Sequence, residues 1–365
     1  MSEYTENLML QNVLESSDEF SNIWETSESK DSSSSLSVNL DSSDDNLYKE
    51  RRKIAKQKNY VENVVLKYDY FQFRKHFRIN KRTCEYVVEK LEAANVLPTH
   101  LDGRKKITPY KCFLITLWYL CNNDSYRQIS DKFDISESAA HTLIKKVVKF
   151  IISDKGMDGT IGAIDATHIC IKRPQKDAYT YCNRKGQHSV LLQAVCDDKK
   201  RFMDVFCGEA GSIHDARLLK RSSLYRQFQN PNVRTEYFLL GDSAYPNLPW
   251  LLTPFKDTGN LTQQKIFNYR HSSARVIVEN NFGLLRGRFR RLKFFENNNI
   301  TFIVECIIAT CVLHNICINM DDQQIETDEP FEPGGNVFCP EEFSEEAIAL
   351  GNNKREELFR KMFPA

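Results

Sequence analysis

Residues 160–172 (TIGAIDATHICIK) form an apolar run with a single carboxylate, Asp165, at its centre. Burying a carboxylate inside an apolar strand is costly unless a cation or hydrogen-bond donors meet it, so few folds tolerate this segment. Two further strand-like stretches follow, Ser189–Asp197 and Arg201–Glu209, joined by a turn at Asp198-Lys199-Lys200. Residues 214–228 then show helical spacing at Ala216, Leu219, Leu224 and Phe228. A fourth, fully apolar strand over Glu236–Gly241 ends at once in Asp242 and a turn over Ser243–Pro246. Residues 273–289 read as a helix with Glu279 near its middle. Three linked strands, a helix, a crossover strand and closing helices predict an α/β domain: an RNase H-like mixed sheet flanked by helices.

The 365 residues suit one sizeable or two modest domains. Formal charge divides the chain. Residues 1–48 hold eleven acids, one base and thirteen serines, and residues 321–365 hold twelve acids and four bases; the body between them carries 45 bases against 26 acids. A balance of about +19 on one body is the electrostatic footprint of a polyanion binder. The expected organisation is a disordered acidic Ser-rich tail (1–48), a helical module (49–155), the sheet-containing domain (156–320) and an acidic C-terminal tail (321–365), in which residues 345–359 can form a short amphipathic helix.

No stretch of about 18 uninterrupted apolar residues is present, so no membrane span is expected. The nearest candidate, Thr301–Ile318, carries Glu305, His314 and Asn315 and reads as a buried helix. The start Met-Ser-Glu-Tyr lacks a basic-then-apolar leader, so an intracellular chain is expected. Its eleven cysteines, an odd number mostly set in apolar runs, read as reduced thiols. Cys306, Cys311, His314 and Cys317 share one side of a helix, but without a C-x2-C pair they read as core rather than as a zinc site. No Walker A loop, dinucleotide fingerprint or G-x-S-x-G elbow occurs, which sets those enzyme classes aside.

The helical module is predicted from Phe71–Phe77, Lys81–Ala93, Lys111–Cys121 and the stretch 125–150. In the last of these, Ser125 with Gln128 forms a capping-box start, Ile129 and Phe133 face inward, Asp134-Ile135 is a tight turn, and Ser136 caps a second helix. Ala139, Leu143, Val147 and Phe150 are expected inward on that helix, with Ser138, His141, Thr142, Lys145 and Lys146 outward. Two readings stand: a helix-turn-helix whose second helix enters a DNA major groove, or a plain helical hairpin.

Asp165 within a strand, Asp242 at the C-terminal end of another and Glu279 on a helix form a possible carboxylate cluster. Glu279, Gly283 and Gly287 share a face that can approach the sheet closely. Clustered carboxylates need a compensating charge, and a hard divalent ion such as Mg²⁺ or Mn²⁺ supplies it. Two such ions about 3.5–4 Å apart would serve phosphodiester hydrolysis. Each acid also has a plainer role: Asp165 paired with Lys172 or Arg173, Asp242 as a turn cap, Glu279 paired with Arg275 or His271. His214 is placed to orient the neighbouring Asp215. Arg184 and Lys185 in a loop, and Arg286, Arg288, Arg290 and Arg291 along a helix end, together with Lys145 and Lys146, are the candidate phosphate contacts.

The blocks GAIDATHI (162–169), YCNRKGQHS (181–189), QAVCD (193–197), GSIHDARLL (211–219), LLGDSAYP (239–246), VENNFGLLRGRFR (278–290) and LHNIC (313–317) resemble, in order, those of the PIF/Harbinger-type transposase family. The resemblance covers roughly residues 60–320, and departs from the family pattern at Leu191-Leu192, where relatives often carry a polar residue. It implies a DDE metal triad at Asp165, Asp242 and Glu279, with Asp215 as a further metal-binding carboxylate. It also implies nuclease action on DNA, a nuclear or nuclear-and-cytoplasmic location, and work alongside a separate Myb/SANT-like DNA-binding protein. The alternative is a domesticated DNA-binding or scaffold protein that keeps the fold without turnover. Oligomeric state is left open.

Overall fold

The computed structural model describes residues 56–94, 97, 107–153, 162–230, 238–256, 262–322 and 343–363. The expected tail 1–48 lies outside the described residues, as do 323–342 of the C-terminal tail.

The helical module contains α1 (Tyr60–Asn63), α2 (Tyr70–Phe77), α3 (Lys81–Ala94), α4 (Pro109–Cys121), α5 (Tyr126–Phe133) and α6 (Glu137–Ser153). After its half-buried first turn, the α4 helix is apolar and buried on every side from Cys112 to Cys121, as befits a central helix. The capping box expected at Ser125 and Gln128 starts α5, Asp134 takes the left-handed conformation that ends it, and Ser136 Oγ accepts the Ala139 N–H to start α6. Leu143 and Val147 face inward on α6 as expected, but the buried face is wider, taking in Ala140, Ile144, Val148 and Ile151, while Ala139 and Phe150 are half-buried. His141 and Lys145, expected outward, instead meet the ring of Phe302, so the exposed positions are Glu137, Ser138, Thr142, Lys146 and Lys149.

The sheet holds β1 (Ala163–Cys170), β2 (Ser189–Cys196), β3 (Phe202–Ala210), β4 (Leu239–Leu240) and β5 (Leu251–Leu252), in the order β3-β2-β1-β4-β5. The first three are antiparallel neighbours, whereas β4 runs parallel to both β1 and β5. The predicted mixed sheet flanked by helices is therefore present. The crossover strand is shorter than expected, because pairing is confined to Leu239–Leu240 and residues 236 and 237 lie outside the described ones. The predicted helix 214–228 is two helices, α7 (Asp215–Arg221) and α8 (Ser223–Phe228), because the chain is extended at Ser222, whose hydroxyl caps the second.

Helices cover both sheet faces. On one side lie α9 (Thr262–Arg288), far longer than the segment predicted, and α10 (Ile300–Asn319). On the other, Ala216 and Leu219 of α7 pack against Ile164 and Val195. The buried stripe of α9 is Val278, Phe282 and Leu285, continued by Phe289. The expected glycine face is not the packed one: a Cβ on Gly283 would meet nothing within 4 Å. The α10 helix is apolar and long enough to cross a membrane, yet it lies in the core against β3 and α6. Cys306, Cys311 and Cys317 are buried there, and His314 Nε2 lies 3.1 Å from the Lys200 carbonyl. One apolar cluster runs unbroken from Tyr60 through α4 and α6 to the sheet and α10. The closing helix α11 (Glu345–Met362) docks beside β5: Arg355 donates to the carbonyls of Thr253 and Pro254, and Gly351 lies against the Asn247 backbone.

Candidate active site

Strand register brings the first two acids together. Ala163 of β1 is the parallel partner of Leu240 of β4, so two residues further along each chain Asp165 and Asp242 come near enough for the charge of one to act on the other. The β4 strand ends at Leu240, and Asp242 begins the turn, its Oδ1 accepting the Ala244 N–H at 2.9 Å. Asp165 Oδ1 accepts the Ala166 N–H at 2.8 Å.

The third acid arrives on α9, whose buried stripe presses Val278 into the core. Its neighbour Glu279 is thereby turned toward the rim of the sheet. Arg275, one turn earlier, joins the two elements: its Nη1 lies 3.2 Å from Asp165 Oδ2, and its Nη2 pairs with Glu279 Oε1. The pairing of Glu279 with Arg275 allowed by the sequence is thus present, while Asp165 takes the same arginine rather than Lys172 or Arg173.

The electrostatics follow from this placement. Burial pushes the Asp165 carboxyl up to about 7; Arg275 opposes this, while the negative charges of Asp242 and Glu279 add to it. Asp242 is likewise raised, first by burial and further by Glu279, with Arg275 again opposing. Tyr245, fully buried behind Asp242, feels Asp215, Asp165 and Asp242 together, and its hydroxyl has no hydrogen-bond partner. Asp215 thereby belongs to the same neighbourhood, at the first turn of α7 and 2% exposed. Even so, no three His, Cys, Asp or Glu side chains among the described residues form a ready-made metal-binding group. Asp165 and Glu279 meet instead on a guanidinium.

The basic candidates divide into two sets. Arg184 and Lys185 are exposed in a tight turn ordered by Asn183, whose Oδ1 accepts the N–H groups of Lys185 and Gln187. Arg184 Nη2 lies 2.9 Å from His214 Nδ1, so the loop reaches the residue next to Asp215. Lys146 is exposed; Lys145 and Arg290 are half-buried. Arg286 is tied to Thr167 Oγ1 and to the His168 carbonyl, on the β1 segment that follows Asp165.

Arg288 and Arg291 are corrections to the sequence reading, since neither is presented to a phosphate. Arg288 is 1% exposed, donating to the carbonyls of Arg78 and Asp322 and facing the Asp322 carboxylate. Arg291 is buried over the Tyr119 ring and donates to the carbonyls of Tyr119 and Asp124. Periodicity in a basic run marks neither. Their alternation with Phe289 and Leu292, both buried, was the available signal. The link from Arg275 to Asp165 was also missed, because a pairing across 110 residues leaves no local trace.

Residues 164–315 match the family profile for DDE superfamily endonucleases. The chain is also 30% identical over 261 residues to the Bos taurus protein named "Putative nuclease HARBI1", spanning 64% of this chain and 73% of that one. The chain belongs to the DDE superfamily endonucleases. This is the family that the seven ordered blocks pointed to. Arabidopsis thaliana "Protein ALP1-like" is 28% identical over 300 residues, 71% of this chain and 73% of that protein. A more distant relative is the "Probable transposase for insertion sequence element IS702" of Microchaete diplosiphon, 22% identical over 62% of this chain and 84% of its own. No solved structure matches the chain. The family profile spans β1 to α10 and so includes all four acids together with Arg275.

Proposed function

We propose that this chain is a metal-dependent DNA endonuclease of Harbinger transposase origin, built on an RNase H-like fold and hydrolysing phosphodiester bonds by a two-metal DDE mechanism. The observation that carries the reading is the meeting of Asp165, Asp242 and Glu279 at the C-terminal end of β4, where open α/β sheets put their ligands. The sheet order β3-β2-β1-β4-β5 supports the fold assignment.

The donor set fits a hard divalent cation, because carboxylate oxygens are what Mg²⁺ and Mn²⁺ select. Asp165, Asp242 and Glu279 would hold it, with Asp215 and the buried Tyr245 hydroxyl behind them. Bound there, the cation would supply Lewis acidity to the scissile phosphate and acidify an attacking water. The chain's own part is to hold the three carboxylates together in a largely buried place and to hold the substrate backbone. Arg286, anchored beside Thr167, and the Arg184–Lys185 turn flank the acids and are suited to phosphates. The α5–α6 hairpin would act as a helix-turn-helix through Ser138, Thr142 and Lys146. A nuclear location and a Myb/SANT-like partner belong to the same proposal.

Incubating purified protein with supercoiled plasmid and Mg²⁺ or Mn²⁺ tests it. Nicking by wild type and none by Asp165→Ala supports hydrolysis. A second reading, a domesticated DNA-binding protein without turnover, draws on the guanidinium lying among the acids; DNA binding without nicking under either metal would favour it.

A further inference from the structure

We propose that Arg275 is a resident counter-ion of the carboxylate site, joining Asp165 to Glu279 in the metal-free protein and competing with a divalent cation for the same oxygens. The inference rests on the metal-dependent reading above. Both Asp165 oxygens are engaged: Oδ1 by the Ala166 N–H and Oδ2 by Arg275 Nη1. Glu279 gives its Oε1 to the other arm of the same guanidinium. A planar fork that donates in two directions suits this bridging, which a lysine ammonium on a single stem does less well. The three side chains are each less than a fifth exposed, so the contact is little screened by water.

The bridge accounts for the convergence of acids without a preformed cation site. With the guanidinium in place, the carboxylates already have their compensating charge, and a cation must take its position to reach Asp165 Oδ2 and Glu279 Oε1. Arg275 is thus a positioning residue: it keeps the acids assembled before metal enters, and it sets the concentration at which metal enters.

Mn²⁺ binding to the full chain at pH 8, followed by the electron paramagnetic resonance of free Mn²⁺, tests this on wild type, Arg275→Gln, Arg275→Lys and Asp165→Asn. Arg275→Gln should bind Mn²⁺ about tenfold more tightly than wild type, a difference of about 1.4 kcal/mol, and Arg275→Lys should fall between them. Without metal, Arg275→Gln should melt below wild type, with the gap closing as Mn²⁺ is added. Should Arg275→Gln fail to fold, the lysine variant carries the comparison. Folded variants that bind Mn²⁺ no more tightly than wild type, while Asp165→Asn loses binding, overturn the counter-ion role and leave the metal site standing. Absence of Asp165-dependent Mn²⁺ binding in every protein overturns the metal-dependent reading, and the competition with it.

Discussion

Replacing Asp165 by asparagine should flatten the pH dependence of stability of the metal-free protein. The folded carboxyl holds its proton up to about pH 7, because burial disfavours the charge, whereas its ordinary value is near 3.8. Below pH 4 both folded and unfolded states are protonated at this position, and well above pH 7 neither is. Between those limits the folded state binds more protons, so stability falls as pH rises. Between pH 5 and pH 8 the carboxyl traverses about two units of this window, which gives a loss of about 2–3 kcal/mol. Asparagine binds no proton and removes that term. Urea denaturation in the presence of chelator at pH 5, 6, 7 and 8 measures it as the difference between the two pH profiles, which cancels titrating groups remote from the site. Profiles that run parallel within about 0.5 kcal/mol would refute the claim that Asp165 is held in a largely dry, acid-crowded place.

Asp322 sits fully buried between Arg74 at 3.1 Å, the Asn80 N–H at 2.6 Å and Arg288 at 3.6 Å. Asp322→Ala leaves a buried guanidinium without its carboxylate and should cost about 3–5 kcal/mol in urea denaturation; a loss below 1 kcal/mol would contradict that. For DNA binding, Arg184→Ala with Lys185→Ala should lower the slope of log affinity against log salt by about 2 on fluorescence anisotropy, with stability unchanged. Arg288→Ala and Arg291→Ala should do the reverse, lowering melting temperature far more than the salt slope. Gly351→Ala, although alanine favours helix, puts a methyl 2.2 Å from the Asn247 carbonyl oxygen; it should cost about 1–3 kcal/mol and expose α11 to limited proteolysis.

The second and third strands were legible to within one residue and the first to within three, because their apolar runs are bounded by turn residues and each pairs with its sequence neighbour. The Ser125–Gln128 capping box was legible for the same reason: both partners lie within one turn. Readings that depended on distant packing went astray. Lys145 and His141 were assigned to an outer face that Phe302, some 160 residues on, in fact covers. Arg288 and Arg291 are drawn inward by backbone carbonyls of the helical module, invisible from the run of bases that contains them. The glycines of α9 were read as a contact face, yet Phe282, next to Gly283, is the residue that packs. A glycine shows where a close approach is permitted, not that one occurs.

The acids themselves were legible for a different reason: each is placed by a hydrophobic constraint, not by its own interactions. Side chains alternate along a strand, so slipping β4 by one residue against β1 would set Asp242 opposite Ala166 and turn the two carboxylates to different faces. What holds the register is the apolar pair Ala163 and Leu240, with Leu239 and Leu251 beside them. Rotating α9 by one residue, about 100°, would take Glu279 and Arg275 away from the sheet together. What holds that azimuth is Val278, Phe282 and Leu285. Charge repulsion among the acids opposes their assembly, and burial of Asp165 adds to the penalty. The apolar scaffold therefore has to be stable enough to impose the site, with Arg275 offsetting part of the cost. Loosening the scaffold at Val278 or Phe282 should accordingly disperse the carboxylates before it unfolds the chain.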